Sequence, residues 1–260
     1  MSGHLTLPAL LVTYALMLLP LALFVRLRLG LVRVTLVALV RMSVQLALVG
    51  LYLKWIFELN RPGVTAAWMG VMLLTANYDV LGKAGLRRRL FFSRTLMAIG
   101  ASVGGTAAWF VLLSIRPDPP YDARYAIPIV GMLLGNTLRS NVLGLERFYG
   151  DIRRNEAEFE TYLLLGAALD EAVRPYLRTA MRAAINPSLA TMASMGIVSL
   201  PGMMTGQLLG GASPTAAIEY QIGIMISIFV SMVLAVLLNV RLTLSVAFDA
   251  YGRLRSEIFR

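Results

Sequence analysis

The stretch Thr215-Ala-Ala-Ile-Glu-Tyr-Gln-Ile-Gly-Ile-Met-Ile-Ser-Ile-Phe-Val-Ser-Met-Val-Leu-Ala-Val-Leu-Leu-Asn-Val240 carries one charged residue, Glu219, in 26 positions. As an α-helix it extends about 39 Å at 1.5 Å per residue. That exceeds the roughly 30 Å hydrocarbon core of a bilayer. A helix satisfies its backbone internally, so it can sit in lipid with no polar face. Similar apolar runs lie near residues 5–25, 34–53, 64–81, 95–114, 125–143 and 188–210. Charge or turn chemistry separates them at Arg26–Arg33, Glu58–Gly63, Lys83–Arg94, Arg116–Arg124, residues 144–186 and Gly211–Pro214. Overall, 58% of residues are hydrophobic and 15% charged, where a soluble domain has about a quarter charged. Mean hydropathy is +0.71. The expected fold is all-α: a polytopic membrane protein with about seven transmembrane helices, forming one transmembrane domain over residues 1–260.

Leu5 to Val25 is long for a signal-peptide core and lacks a preceding basic region. Arg26 and Arg28 follow it instead of a cleavage site, so it reads as a retained first span. The basic residues orient the chain. Loop 26–33 holds three, loop 83–94 five, segment 139–182 seven, and the part from Arg241 four, which is nineteen of the 24 Lys and Arg. The opposite side has only Lys54, Arg61, Arg116 and Arg124, and Arg41 lies within a span. The N-terminus is expected outside and the C-terminus in the cytoplasm. A net charge of +10 would fit nucleic acid in a soluble protein. Here one-sided basic loops account for it, so the expected partner is the bilayer, with no nucleic acid.

The absence of cysteine rules out disulfides, thiolate metal sites and a cysteine nucleophile. A single histidine, His4, leaves no imidazole cage. Neither His-Glu-x-x-His nor a phosphate loop is present. The chain is expected to be no enzyme, and ATP, if it drives transport, binds another subunit.

Residues 144–187 are long enough for a cytoplasmic substructure. Leu145, Phe148, Ile152, Phe159 and Leu163 recur at helical spacing among charged residues, which predicts span five continuing inward as an amphipathic helix. Gly166 interrupts it. A short helix Leu169–Arg174 is expected to stop at Pro175, and a second amphipathic helix, Tyr176 to Ile185, to lead to Asn186-Pro187 and span six. Such a projection suits a motor pushing from outside the membrane; an interfacial loop covering helix ends is the other reading.

Span six contains Ser199-Leu-Pro-Gly-Met-Met-Thr-Gly206 and Gln207. Pro201 removes a backbone donor and frees the carbonyl of Ile197. Transporters place binding sites at such breaks, so Ser199, Pro201, Met203, Met204, Thr205 and Gln207 are pathway candidates. Gly202, Gly206 and Gly210, with Gly131/Gly135 and Gly100/Gly104, have the spacing of close helix packing. Thioethers suit Cu(I), while Asn136, Asn141, Glu219 and Gln221 offer oxygen donors; what metal such a set would hold is unknown. Arg41, with Gln45 one turn later, either lines the pathway or pins helices. Asp79 is expected to pair with Lys83.

Gly131-Met-Leu-Leu-Gly-Asn136, Leu164-Leu-Gly-Ala-Ala168, Gly196-Ile-Val-Ser-Leu-Pro-Gly-Met-Met-Thr-Gly-Gln207 and Ala217-Ile-Glu-Tyr-Gln221 carry a family resemblance. It runs from Arg41-Met-Ser-Val-Gln-Leu through span seven. The chain resembles the FetB-type permeases, membrane subunits of iron-export ABC transporters, related to the plant aluminium-sensitivity permeases. The resemblance implies a permease homodimer in the plasma or inner membrane, bound to separate ABC ATPase subunits that hold the ATP. It implies export of a metal ion, iron first, or of a small solute. It makes Leu164–Arg174 the coupling region, with Leu165, Gly166, Ala167, Asp170, Glu171 and Arg174 as its contacts. A motor-independent secondary transporter or channel is the alternative.

Overall fold

The computed structural model describes residues 7–260. His4 and the first two residues of the expected first span lie outside that range. Among the described residues the secondary structure is helical, apart from isolated backbone bridges. The chain divides into two compact units, one ending at Leu59 and one running from Asn60 to Arg260.

The first unit contains α1 (Leu7–Ala15), α2 (Leu18–Arg26) and α3 (Val32–Leu59). The predicted first span is therefore interrupted at Leu16 and Met17. Pro20 explains the break: it has no N–H and its ring crowds the carbonyl of Leu16. The 28 residues of α3 are apolar around the circumference and leave Val34, Val37, Leu46 and Leu51 uncovered. The Tyr14 and Ser43 hydroxyls share a hydrogen bond between α1 and α3.

The second unit begins with α4 (Pro62–Lys83) and α5 (Arg88–Trp109), which runs on through a π-helical turn, Phe110–Ile115. It continues with α6 (Ala123–Arg154), α7 (Glu156–Leu164), α8 (Leu169–Ala172), α9 (Arg174–Ser194), α10 (Gly202–Leu209) and α11 (Pro214–Ala247), and a 3₁₀ turn at Ser256–Ile258. Local chemistry sets several starts. Pro62 and Pro214 occupy first turns, where no amide partner is lost. Asp122 caps α6 by accepting from the Arg124 amide at 2.9 Å, and Ser213 caps α11 by accepting from the Ala216 amide. Asp79 pairs with Lys83 at 2.9 Å on the surface, as expected.

Helices α5, α6 and α11 pack on one another, α4 lies against α5 and α6, and α9 lies against α6 and α11. Phe91, Phe148 and Tyr149 fill the core as edge-to-face rings, Phe91 and Phe148 standing 5.6 and 4.9 Å from the Tyr149 centroid. Within lipid, helix association gains little from apolar burial and relies on close packing and polar contacts. Both join α6 to α11. Gly144 meets Val236 so closely that a Cβ there would stand 2.8 Å from the valine Cγ1 and 3.6 Å from Ala184 of α9. Polar rungs lie along the same seam: Thr137 with Ser231 at 3.3 Å, Asn239 donating to Asn141 at 2.6 Å, and Tyr149 donating to Thr243 at 2.6 Å.

Five described helical stretches are long and apolar enough to cross a membrane: Pro8–Arg26, Val32–Leu59, Pro62–Lys83, Arg88–Ile115 and Pro214–Ala247. Helix α6 has the length, but Asn136, Arg139 and Asn141 lower its apolarity. The sixth run differs most from expectation. Helix α9 continues straight through Pro187 to Ser194, so no separate amphipathic helix ends at Ile185. Pro175 opens α9 instead of stopping its predecessor, because a proline in a first turn costs no hydrogen bond. Pro201 likewise stands outside the helix, at the N-cap of α10. The actual break is the irregular segment 195–200. The chain is an all-helical, multi-pass membrane protein.

Candidate functional site

Two features gather the expected functional residues. The first is an elbow where α6 ends, turns at Asn155 into α7, and returns through α8 to α9. Its back is anchored. Phe159 is 1% exposed, with its ring 5.9 Å from Tyr176 and 5.7 Å from Phe248. Leu163 and Leu169 close around Gly252, and Glu160 pairs with Arg253 at 3.5 Å. The tail beyond α11 thereby holds α7 and α8, and it also grips the α4–α5 turn: Ile258 accepts from the Arg87 amide at 2.8 Å and the Arg260 amide donates to Gly85 at 2.9 Å. Nothing in composition signalled this tail contact.

The tip of the elbow is bare. Leu164 and Leu165 are 84% and 81% exposed. Gly166 turns the chain with φ +90°, a conformation that favours glycine. The Ala167 amide closes the turn on the Tyr162 carbonyl at 3.0 Å. Glu171 reaches back to accept from the Ala168 amide at 3.0 Å, capping α8. Asp170 and Arg174 are exposed beside it. Among the expected contacts Leu165, Gly166, Ala167, Asp170, Glu171 and Arg174, Gly166 and Glu171 thus shape the tip, Ala167 is partly covered, and Leu165, Asp170 and Arg174 are exposed. Behind the tip, Tyr162 donates to Glu158 at 3.0 Å, and that bond raises its pKa. Burial raises the pKa of Tyr176, and the negative charge of Glu158 adds to it.

The second feature is an open cavity of about 1020 Å³ between α5 with its π turn, α10, α11 and the start of α6. Ser102, Thr106 and Ser114 line one wall, Trp109, Phe110, Tyr125 and Tyr220 supply aromatic surface, and Ser227 and Glu219 face them from α11. Gln207 enters from α10, its side-chain oxygen buried without a hydrogen-bond partner. Gly223 lets Phe110 approach the α11 backbone, since a Cβ there would stand 2.7 Å from the ring. Hydroxyls, one amide and one carboxylate on an aromatic frame orient a polar or cationic solute. The aromatic and hydroxyl residues were missed in the sequence because they are scattered over three helices.

Of the pathway candidates, the structure brings Gln207 and Glu219 together in this cavity and leaves the rest elsewhere. Gln221 is buried beside it and makes a long hydrogen bond to the Met195 sulfur at 4.0 Å. Met204 is buried and Met203 packs against the core, so neither lines the cavity. Thr205 donates to the Pro201 carbonyl at 3.1 Å. Ser199 accepts from the Gly196 amide at 2.9 Å, closing the turn that breaks span six. Asn136 is exposed and donates to Met132 at 2.9 Å within α6. Arg41 and Gln45 are exposed on α3, in the first unit. The glycine spacings serve unevenly: Gly100 and Gly131 meet Leu73 and Met72, whereas Gly202 and Gly206 face open space. Among the described residues no three His, Cys, Asp or Glu side chains converge as metal ligands.

Comparison with known proteins gives this architecture a family. The chain is 36% identical over 195 residues to the UPF0014 membrane protein slr1647 of Synechocystis, covering 75% of each chain. It is 34% identical to Protein ALUMINUM SENSITIVE 3 of Arabidopsis thaliana, over 71% of this chain and 66% of the relative. It is 30% identical to the probable iron export permease protein FetB of Escherichia coli, over 70% of this chain and 69% of the relative. No solved structure matches the chain. The profile of the Uncharacterised protein family (UPF0014) matches residues 7–248, and the chain belongs to that family.

Proposed function

We propose that this chain is the permease subunit of an ABC exporter, working as a homodimer with separate ATPase subunits that hold the ATP. The observation that carries the reading is the elbow. It is packed from behind by aromatic rings and by the tail, and it ends in two uncovered leucines beside Asp170 and Arg174. An external motor needs a rigid projection with an apolar knob, and residues 144–187 supply one, with Leu165, Gly166, Ala167, Asp170, Glu171 and Arg174 at the contact. The name of the FetB relative, a probable iron export permease protein, supports the export-permease part of this reading.

The proposed topology has seven spans, with the N-terminus outside and the elbow and C-terminus in the cytoplasm. The α1–α2 pair forms span one, the end of α9 with α10 forms span six, and nineteen of the 24 Lys and Arg lie inside. The cavity then opens on the outer half, where Gln207 and Glu219 meet cargo leaving the membrane. Asn136, Ser199, Pro201, Thr205, Gln221, Arg41 and Gln45 stand as further pathway positions. One carboxylate among hydroxyls grips a cation loosely, which suits release. The cargo is a metal ion, iron first, or a small solute.

The test is ATP hydrolysis by the permease and its ATPase reconstituted together in liposomes, across a panel of metal ions. The expected result is a stable complex whose hydrolysis rises with one metal. A permease that forms no complex with any ATPase and conducts without ATP would refute the proposal.

A further inference from the structure

Helix α9 presents three ridges of different chemistry, each with residues four apart. Tyr176, Ala180 and Ala184 are buried on the side packed against α6 and α11. Leu177, Met181, Ile185 and Leu189 form a partly covered apolar ridge, and Arg174, Arg178, Arg182 and Asn186 form an exposed basic one. These last two ridges line a groove of about 390 Å³. Residues four apart on a helix stand about 6 Å from one another, so each of these two ridges is about 18 Å long.

Three guanidinium groups at this spacing repel one another, and among the described residues none of the three forms an ion pair. The stripe is therefore open to an anion, and planar guanidinium forks match phosphate oxygens. The apolar ridge beside it limits the choice of anion. It ends at Leu189, inside the apolar run 188–210, so one end of the groove reaches acyl-chain depth and the other stands in water. A cytosolic protein cannot follow the groove into the bilayer, whereas a phospholipid has a phosphate at one end and a hydrocarbon chain at the other.

We propose that this face of α9 is a binding site for an anionic phospholipid, with the headgroup phosphate on Arg178 and Arg182 and an acyl chain along Met181, Ile185 and Leu189. The site rests on the cytoplasmic placement of α9 given above. Basic pockets at the cytoplasmic ends of membrane helices take such lipids. A lipid held here would also steady the root of the elbow.

The test uses the purified full chain in nanodiscs and in detergent. Retention of phosphatidylglycerol is measured by native mass spectrometry against phosphatidylcholine of identical acyl chains. Wild-type protein is expected to retain phosphatidylglycerol selectively, and R178Q/R182Q to retain it about 30-fold less, at the usual contribution of a basic residue near an anionic surface. R178K/R182K keeps the charge and is expected to fall between them. Equal retention of both lipids, undiminished retention by R178Q/R182Q, or full displacement by inorganic phosphate alone would overturn the site. So would a variant that loses its ATPase in phosphatidylcholine nanodiscs while still holding phosphatidylglycerol, which would make the stripe a protein contact. A single cysteine at T179C, probed with an impermeant maleimide, separates the two claims. Labelling from outside refutes the orientation, whereas protection with no lipid selectivity refutes the site alone.

Discussion

Replacing Leu164 and Leu165 together by serine separates a coupling tip from a structural turn. The two side chains are 84% and 81% exposed, so the fold gains almost nothing from them. Substitutions at such positions shift stability by about 0.5 kcal/mol or less. In a complex the balance changes, because fully burying a leucine contributes roughly 1.5–3 kcal/mol. Scaled by their exposure, the pair would supply about 2–5 kcal/mol of binding, or roughly 30- to 4,000-fold in affinity. The assay is titration of the purified ATPase onto nanodisc-embedded permease, followed by hydrolysis at saturating ATP and by melting of the permease alone. The expected outcome is unchanged melting with binding weakened at least 30-fold. Binding within threefold of wild type, with full stimulation, would refute the assignment of the elbow as the motor contact.

Reversing the neighbouring charges with D170K/E171K is expected to uncouple hydrolysis from cargo while expression holds, as read by ATPase stimulation. Gly144→Val places a side chain where even a Cβ would stand 2.8 Å from Val236, and overpacking of that kind costs about 1–3 kcal/mol; a lowered melting temperature in detergent checks it. Tyr149→Phe removes a buried hydrogen bond to Thr243 and is expected to cost about 1 kcal/mol, measured the same way. Gln207→Leu with Glu219→Gln alters the cavity at two lining side chains. It is expected to reduce cargo-stimulated hydrolysis several-fold at unchanged melting temperature.

The apolar runs made most of the fold legible. Val32–Leu59, Pro62–Lys83, Arg88–Ile115 and Pro214–Ala247 fall on four of the expected spans, because a helix in lipid must be long and apolar and little else produces such a run. Proline was the main source of error. Pro175, Pro187 and Pro201 all read as helix breakers, yet Pro175 sits in a first turn, Pro201 on a cap and Pro187 inside a continuous helix. Local sequence does not distinguish these cases when neighbouring helices supply the support. The elbow was visible as charge interleaved with apolar spacing. Its anchoring was not, since the Phe159–Phe248 contact joins residues far apart in the chain. The cavity was legible only through Gln207 and Glu219, whose polarity stands out in apolar runs. Met203 and Met204 drew attention by composition, but they fill core and packing positions as flexible thioethers commonly do.

The tail that clasps both the α4–α5 turn and the elbow also bears on the order in which the molecule is made. Residues 248–260 leave the ribosome after every helix they join, whereas the spans enter the bilayer one after another during synthesis. Until then the Gly85 carbonyl and the Arg87 amide lack their tail partners, and Phe159 has no Phe248 ring to close on. The elbow is therefore completed last, after the spans that precede the tail have been made. An unfinished chain offers an elbow without its brace, so under the proposed coupling an ATPase that recognises the braced form would engage only chains whose synthesis has passed the tail.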